Sequence, residues 1–115
     1  MKILKSGSVL YVSLLLSFNA LADADKRTTE EVWIDVRTGF EYSMGHVEGA
    51  HHIPYDEIGD QIADLALDKN TEIHLYCRSG NRSGKALTVL QELGYTKAHN
   101  DGGINDLQHD AVMAD

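Results

Sequence analysis

The sequence predicts an α/β domain in which a mainly parallel central sheet carries helices on both faces. Two observations predict it. Short β-branched apolar segments alternate four times with segments of helical period, and the connections between them are short. No internal repeat, low-complexity segment or interdomain linker interrupts the pattern.

Glu31–Val36, "EVWIDV", is short and apolar and reads as a buried strand, with Trp33 as a core residue. Thr38 and Glu41 form a Thr-x-x-Glu capping box that opens a short helix, and Gly45 ends it. "AHHIP" is a second strand stopped by Pro54. Ile58, Ile62 and Leu65 recur at helical spacing, so the second helix is expected over Tyr55–Leu67, with "DKN" as a turn. "TEIHLYC" is the third strand and ends on Cys77. Ser83–Leu93 is the clearest helix: Ala86, Leu87, Val89, Leu90 and Leu93 share a face, and Gly94 suits the position after its end. "YTKAHN" is a weaker strand, "DGG" a turn, and the tail from Ile104 a short helix.

The first stretch stands apart from this fold. Lys2 and Lys5 precede an apolar run from Val9 to Phe18, and Ala20-Leu21-Ala22 has the small-x-small pattern of a signal peptidase site. The run is short for a membrane span, and no stop-transfer pattern follows. The expectation is a signal peptide over 1–22 cleaved after Ala22, a periplasmic protein, and one domain over 23–115; an uncleaved anchor is the alternative. Removing 1–22 takes away two lysines and no acids, so the charge moves from −8 to −10. Such a chain is not expected to seek nucleic acid, nor a membrane surface once the leader is gone.

An exported domain usually pairs its cysteines, but this sequence has one. It is either a buried structural residue or a reactive thiol. Its neighbours favour reactivity. Arg78-Ser79-Gly80-Asn81-Arg82 leads straight into the helix beginning near Ser83, whose first turn offers unpaired N–H groups and a partial positive charge. Gly80 permits positive φ, so the loop can aim further N–H groups inward as an anion nest. Two guanidinium groups add full charge. Each feature favours thiolate over thiol and lowers the pKa of Cys77. Lys85, in the same helical turn, reads as a solvent-facing residue.

From "WIDVR" through "GHVEGAHHIP" and "YCRSGNRSGKAL" to "LGY" and "DGG", the chain resembles a single-domain rhodanese, a sulfurtransferase family. It is especially similar to the small exported rhodaneses of the phage-shock type. The resemblance implies a rhodanese domain over 23–115 and a persulfide carried on Cys77. It further implies thiosulfate as donor, with cyanide or a thiol, small or on a redox protein, as acceptor. It implies that backbone N–H groups of residues 78 to 83 (Arg78, Ser79, Gly80, Asn81, Arg82, Ser83) cradle the transferred sulfur. Arg78 and Arg82 would steer the donor's sulfonate, Arg82 pointing further inward. No metal or organic cofactor is implied.

Asp35 and Arg37 match the family's Asp-x-Arg and read as an anchor for the following loop more than as donor-binding groups. His46, Glu48, His51 and His52 lack regular ligand spacing and are not read as a metal site. His74 alternates with Ile73 and Leu75 and reads as a partner of the core rather than a catalyst. Where many relatives carry a tryptophan after "DGGI", this chain has Leu107 nearby, which leaves the packing of its last helix open. Two readings compete with the enzyme. One is a non-catalytic, sulfur-carrying or redox-sensing module of the same fold. The other, a cysteine-dependent phosphatase or arsenate reductase, is disfavoured because Cys77 to Arg82 is Cys-x4-Arg, one residue short of the phosphatase loop.

Overall fold

The computed structural model describes residues 30–107 and 113–114. The expected leader and most of the tail beyond Leu107 lie outside the described residues. In chain order the elements are β1 (Glu31–Asp35), α1 (Gly39–Ser43), β2 (His46–Val47), β3 (His51–His52) and α2 (Ile58–Gln61), which tightens into a 3₁₀ turn (Ile62–Leu65). There follow β4 (Glu72–Cys77), α3 (Asn81–Glu92), β5 (Ala98–Gly103), α4 (Ile104–Leu107) and β6 (Met113–Ala114). No helix among the described residues is long and apolar enough to cross a membrane.

Four strands form one sheet in the order β3-β1-β4-β5, all parallel. Parallel neighbours need crossovers, and the intervening helices supply them. The chain leaves β1 toward β3 on one side and returns to β4 on the other. The carboxyl ends of β1 and β4 therefore flank a point where connections diverge, the usual place for a ligand in an open α/β sheet. Asp35 and Tyr76 are paired in register there.

Strand alternation divides the core in two. Ile34, Ile73, Leu75 and Cys77 face Ile58, Ile62, Ala86 and Leu90 in the larger cluster. Tyr76 faces the opposite side with Val47, Ala50 and Leu107, against which Trp33, Ile104 and Met113 pack partly buried. Each fully buried Ile or Leu contributes roughly 1.5–3 kcal/mol, so the larger cluster pins the end of β4 and the first turns of α3 together. Helices thus lie on both faces, as the pattern predicts, and the last helix packs through Leu107, buried in the cluster around Tyr76.

Several local expectations are corrected. The helix over Tyr55–Leu67 is broken: Pro54–Glu57 forms a turn, α2 lasts one turn, and Ala66 closes the 3₁₀ segment at φ 51°. Leu65 and Leu67, on either side of the left-handed Ala66, both pack against the larger core. The "DGG" segment is not a free turn; it is the irregular end of β5, where Gly103 pairs with Cys77 across a register shift. β2 and β6 pair antiparallel over two residues each, too briefly to leave a periodic signal. Trp33 is only half-buried and stacks on His74. The capping box is present as expected, Thr38 Oγ1 accepting from Glu41 N–H and Glu41 Oε1 from Thr38 N–H.

Candidate active site

Cys77 is the last residue of β4 and is fully buried. Arg78 and Ser79 turn the chain, and Gly80 caps α3 at φ 96°, a conformation that suits glycine. The helix therefore starts at Asn81, two residues before the expected Ser83. Ser83 is then in the first turn, where its backbone N–H has no intrahelical partner. Gly103 of β5 lies so close to the loop that a Cβ there would run into the Arg78 carbonyl.

The sulfur sits inside a ring of donors. Gly80 N–H donates to Cys77 Sγ at 3.0 Å, and Ser83 Oγ lies 3.4 Å from it. Burial pushes the thiol pKa up, but hydrogen bonds from the Ser83 hydroxyl and from the N–H groups of Ser83, Ser79 and Gly80 outweigh it. The result is a pKa lowered to about 7, where thiol and thiolate are comparably populated at neutral pH.

The guanidinium groups are placed differently from expectation. Arg82 does not point freely at the sulfur: it donates to Glu41 Oε1 at 2.8 Å and to Oε2 at 3.1 Å, a fork-to-carboxylate pair. The bond from Arg82 holds Glu41 well below the usual carboxylate range, at about 2, against the cost of burial. Arg82 still lies close enough to interact electrostatically with Cys77. Arg78 and Asn81 are exposed, and Arg78 has no ion-pair partner among the described residues. Hydrogen-bond donors on the backbone and Ser83, more than free arginine charge, account for the lowered thiol pKa.

Asp35 and Arg37 form a separate, buried unit. Arg37 Nε and Nη2 donate to the Asp35 carboxylate at 2.9 and 2.7 Å, and Nη2 also reaches the Gly45 carbonyl at 2.7 Å. With its donors engaged, Arg37 ties the end of β1 to the end of α1. His46 Nδ1 and His52 Nε2 lie 2.9 and 2.8 Å from the carbonyls of Tyr42 and Arg37, so neither ring is turned toward a shared centre. His74 pairs with Asp101 at 2.9 Å and lies on the sheet face opposite Cys77. Lys85 is exposed, 5.7 Å above the Tyr55 ring.

Two residues of the site were not anticipated. Glu41 serves both the capping box and Arg82. Asn100 in β5 accepts from Ser83 Oγ at 2.6 Å and donates to the Gly80 carbonyl at 2.9 Å. Its Oδ1 also accepts from Gly102 N–H at 3.0 Å, an Asx turn whose Asn-x-Gly pattern is visible in the sequence.

Known proteins share this architecture. The chain is 44% identical over 77 residues to the thiosulfate sulfurtransferase PspE of Escherichia coli (strain K12), covering 67% of this chain and 74% of that protein. It is 38% identical over 80 residues to the tRNA uridine(34) hydroxylase of Erwinia tasmaniensis, matching 65% of this chain but only 23% of that longer protein. A solved structure described as a rhodanese with anions from E. coli superposes with a TM-score of 0.67 at 42% identity, over 72% of this chain and 98% of that one. Residues 18–110 match the family described as Rhodanese-like domain, and the chain belongs to that family.

Proposed function

We propose that the protein is a thiosulfate sulfurtransferase that carries sulfur as a persulfide on Cys77, working in the periplasm after cleavage behind Ala22. The observation that carries this reading is the cradle itself: a thiol with a pKa of about 7, faced by three backbone N–H groups and a hydroxyl at the start of a helix. The similarity to PspE, itself a thiosulfate sulfurtransferase, supports the donor.

In the first step the Cys77 thiolate attacks the outer sulfur of thiosulfate. A new S–S bond forms, the S–S bond of thiosulfate breaks, and sulfite leaves with the electron pair. The persulfide keeps one negative charge on its outer sulfur, where the N–H groups of Ser79, Gly80 and Ser83 stabilise it. In the second step an acceptor nucleophile takes that sulfur and the thiolate returns; cyanide becomes thiocyanate, and a thiolate becomes a persulfide. Charge and electrons balance within the sulfur atoms, so neither metal nor organic cofactor is required. Arg78, exposed at the rim, attracts the dianionic donor, and Arg82 presents its charge from the Glu41 pair. The sequence holds no second cysteine, so the acceptor comes from outside the chain.

Intact mass of the purified protein before and after thiosulfate tests the mechanism. The expected result is a gain of one sulfur atom that cyanide removes and that Cys77→Ser never acquires. No gain, with Cys77 still readily alkylated, would reject thiosulfate as donor and turn attention to phosphate esters, arsenate and protein disulfides. A persulfide that no added cyanide or thiol discharges would instead indicate a sulfur-carrying module. Export is checked by N-terminal sequencing of the periplasmic fraction, where the expected first residue is Asp23.

A further inference from the structure

Both groups whose hydrogen bonds to Cys77 Sγ are resolved as contacts are held from behind by one side chain. Ser83 Oγ, 3.4 Å from Sγ, is 2.6 Å from Asn100 Oδ1. Gly80, whose N–H reaches Sγ at 3.0 Å, has its carbonyl bound by Asn100 Nδ2 at 2.9 Å. The same Oδ1 accepts from Gly102 N–H, which fixes the amide's orientation on β5. Each amide atom thus has an assigned partner, and reversing the amide would lose the bonds to the Gly80 carbonyl and the Gly102 N–H.

We infer that Asn100 is a positioning residue for the sulfur chemistry, its amide setting the loop and the Ser83 hydroxyl in the geometry that stabilises charge on Cys77. The physical argument rests on the single Ser83 proton. Against a neutral thiol the hydroxyl donates to Asn100 Oδ1, the shorter contact. When Cys77 ionises, the anion outcompetes the amide oxygen for that proton, because a hydrogen bond to a charged acceptor is roughly twice as strong. When charge moves to the outer sulfur of the persulfide, the hydroxyl can return to Asn100. The amide keeps the hydroxyl in reach of both acceptors while Ser83 itself is buried and shut off from water. On the Gly80 side, the bond from Nδ2 holds the left-handed peptide that aims its N–H at the sulfur.

Other charged groups bear on Cys77 and remain in every variant below. They are Arg82 with Glu41 from α3 and α1, Arg78 in the loop, the Asp35–Arg37 pair beyond β1, and Asp106 on α4, whose carboxylate lies near Gly102 and Gly103; Asp101 on β5 is turned to His74 on the other face. Differences between variants therefore isolate the amide.

The test measures the pH midpoint of Cys77 alkylation by iodoacetamide in the full protein, with thermal unfolding alongside. Asn100→Ala is expected to raise the midpoint by about one pH unit, the equivalent of one hydrogen bond, because the lost aim of the Gly80 N–H outweighs the Ser83 proton released from Oδ1. Asn100→Asp, of the same shape, keeps the acceptor but loses the donor to Gly80 and brings in a negative charge, so its midpoint rises further. In a Ser83→Ala background the Asn100→Ala shift is expected to grow, because Oδ1 then no longer competes with the sulfur for the hydroxyl proton and only the aim of the Gly80 N–H is lost. A midpoint for Asn100→Ala unchanged from the parent, whatever its melting temperature, would overturn the inference. The role builds on the sulfurtransferase reading, but alkylation reads the thiol without any sulfur donor. A shifted midpoint with no persulfide would sink the proposed reaction alone; a persulfide with an unshifted midpoint would sink the role of Asn100 alone.

Discussion

Arg82, five residues beyond Cys77, clasps Glu41 of the first helix through both carboxylate oxygens, at 2.8 and 3.1 Å. The pair joins the first turn of α3, behind the loop after β4, to the helix after β1. It also moderates the site's charge, since Arg82 shares its field between Glu41 and Cys77.

Arg82→Ala removes that charge and leaves Glu41 without its partner. The KM for thiosulfate is expected to rise about tenfold or more, the scale of one charged hydrogen bond, with a smaller change in kcat. Glu41→Gln acts in the opposite sense: Arg82 loses its counter-charge, the field at the sulfur becomes more positive, and KM falls, more so at low salt. Steady-state kinetics at two ionic strengths checks both directions.

Alkylation of Cys77 follows the thiolate fraction and is expected to rise with pH through a midpoint near 7. The folded pKa is depressed relative to an ordinary thiol, so the unfolded chain binds more protons between about 7 and about 8.5. Stability from this group is full above the unfolded value and is lost as pH falls through 7. Cys77→Ser should flatten that part of the stability curve, measured by urea unfolding at a series of pH values.

Gly103 has no room for a side chain because the Arg78 carbonyl occupies the position a Cβ would take. Gly103→Ala must displace the loop backbone, and a loss of about 2 kcal/mol or more in stability is expected together with a raised Cys77 midpoint. Gly39→Ala is the control: a Cβ there meets only His52 Cε1 at 3.8 Å, at the first position of a helix. That variant should be neutral or slightly stabilised, by up to about 1 kcal/mol. Calorimetry of the two proteins decides.

Asp35→Asn neutralises the partner of a buried guanidinium, since Arg37 is only 6% exposed. Breaking such a pair from one side costs about 3–5 kcal/mol, so the melting temperature should fall steeply. If Arg37 instead served chiefly to bind donor, stability would hold and KM alone would rise. Unfolding and kinetics on the same preparation separate the two roles.

The thiol with its lowered pKa, its glycine-bearing loop and the helix behind it were legible from sequence because their causes are local. Gly80 adopts its left-handed turn within three residues of Cys77, and the N–H groups of Ser79, Gly80 and Ser83 converge on the sulfur through that turn and the first turn of α3. The Thr38–Glu41 capping box, spanning one helical turn, was readable for the same reason. What only tertiary structure decided is which distant side chains close around that loop. Glu41 is separated from Arg82 by 41 residues and Asn100 from Ser83 by 17, and no periodicity in the sequence specifies that such pairs meet. Parallel strand pairing brings them together, placing β1 and β5 on either side of β4 and thereby supplying the partners of its loop. Tertiary packing likewise drew "DGG" into β5, because only glycine fits beside the Arg78 carbonyl. Local chemistry determined the thiol's donor cradle; strand order determined what holds it.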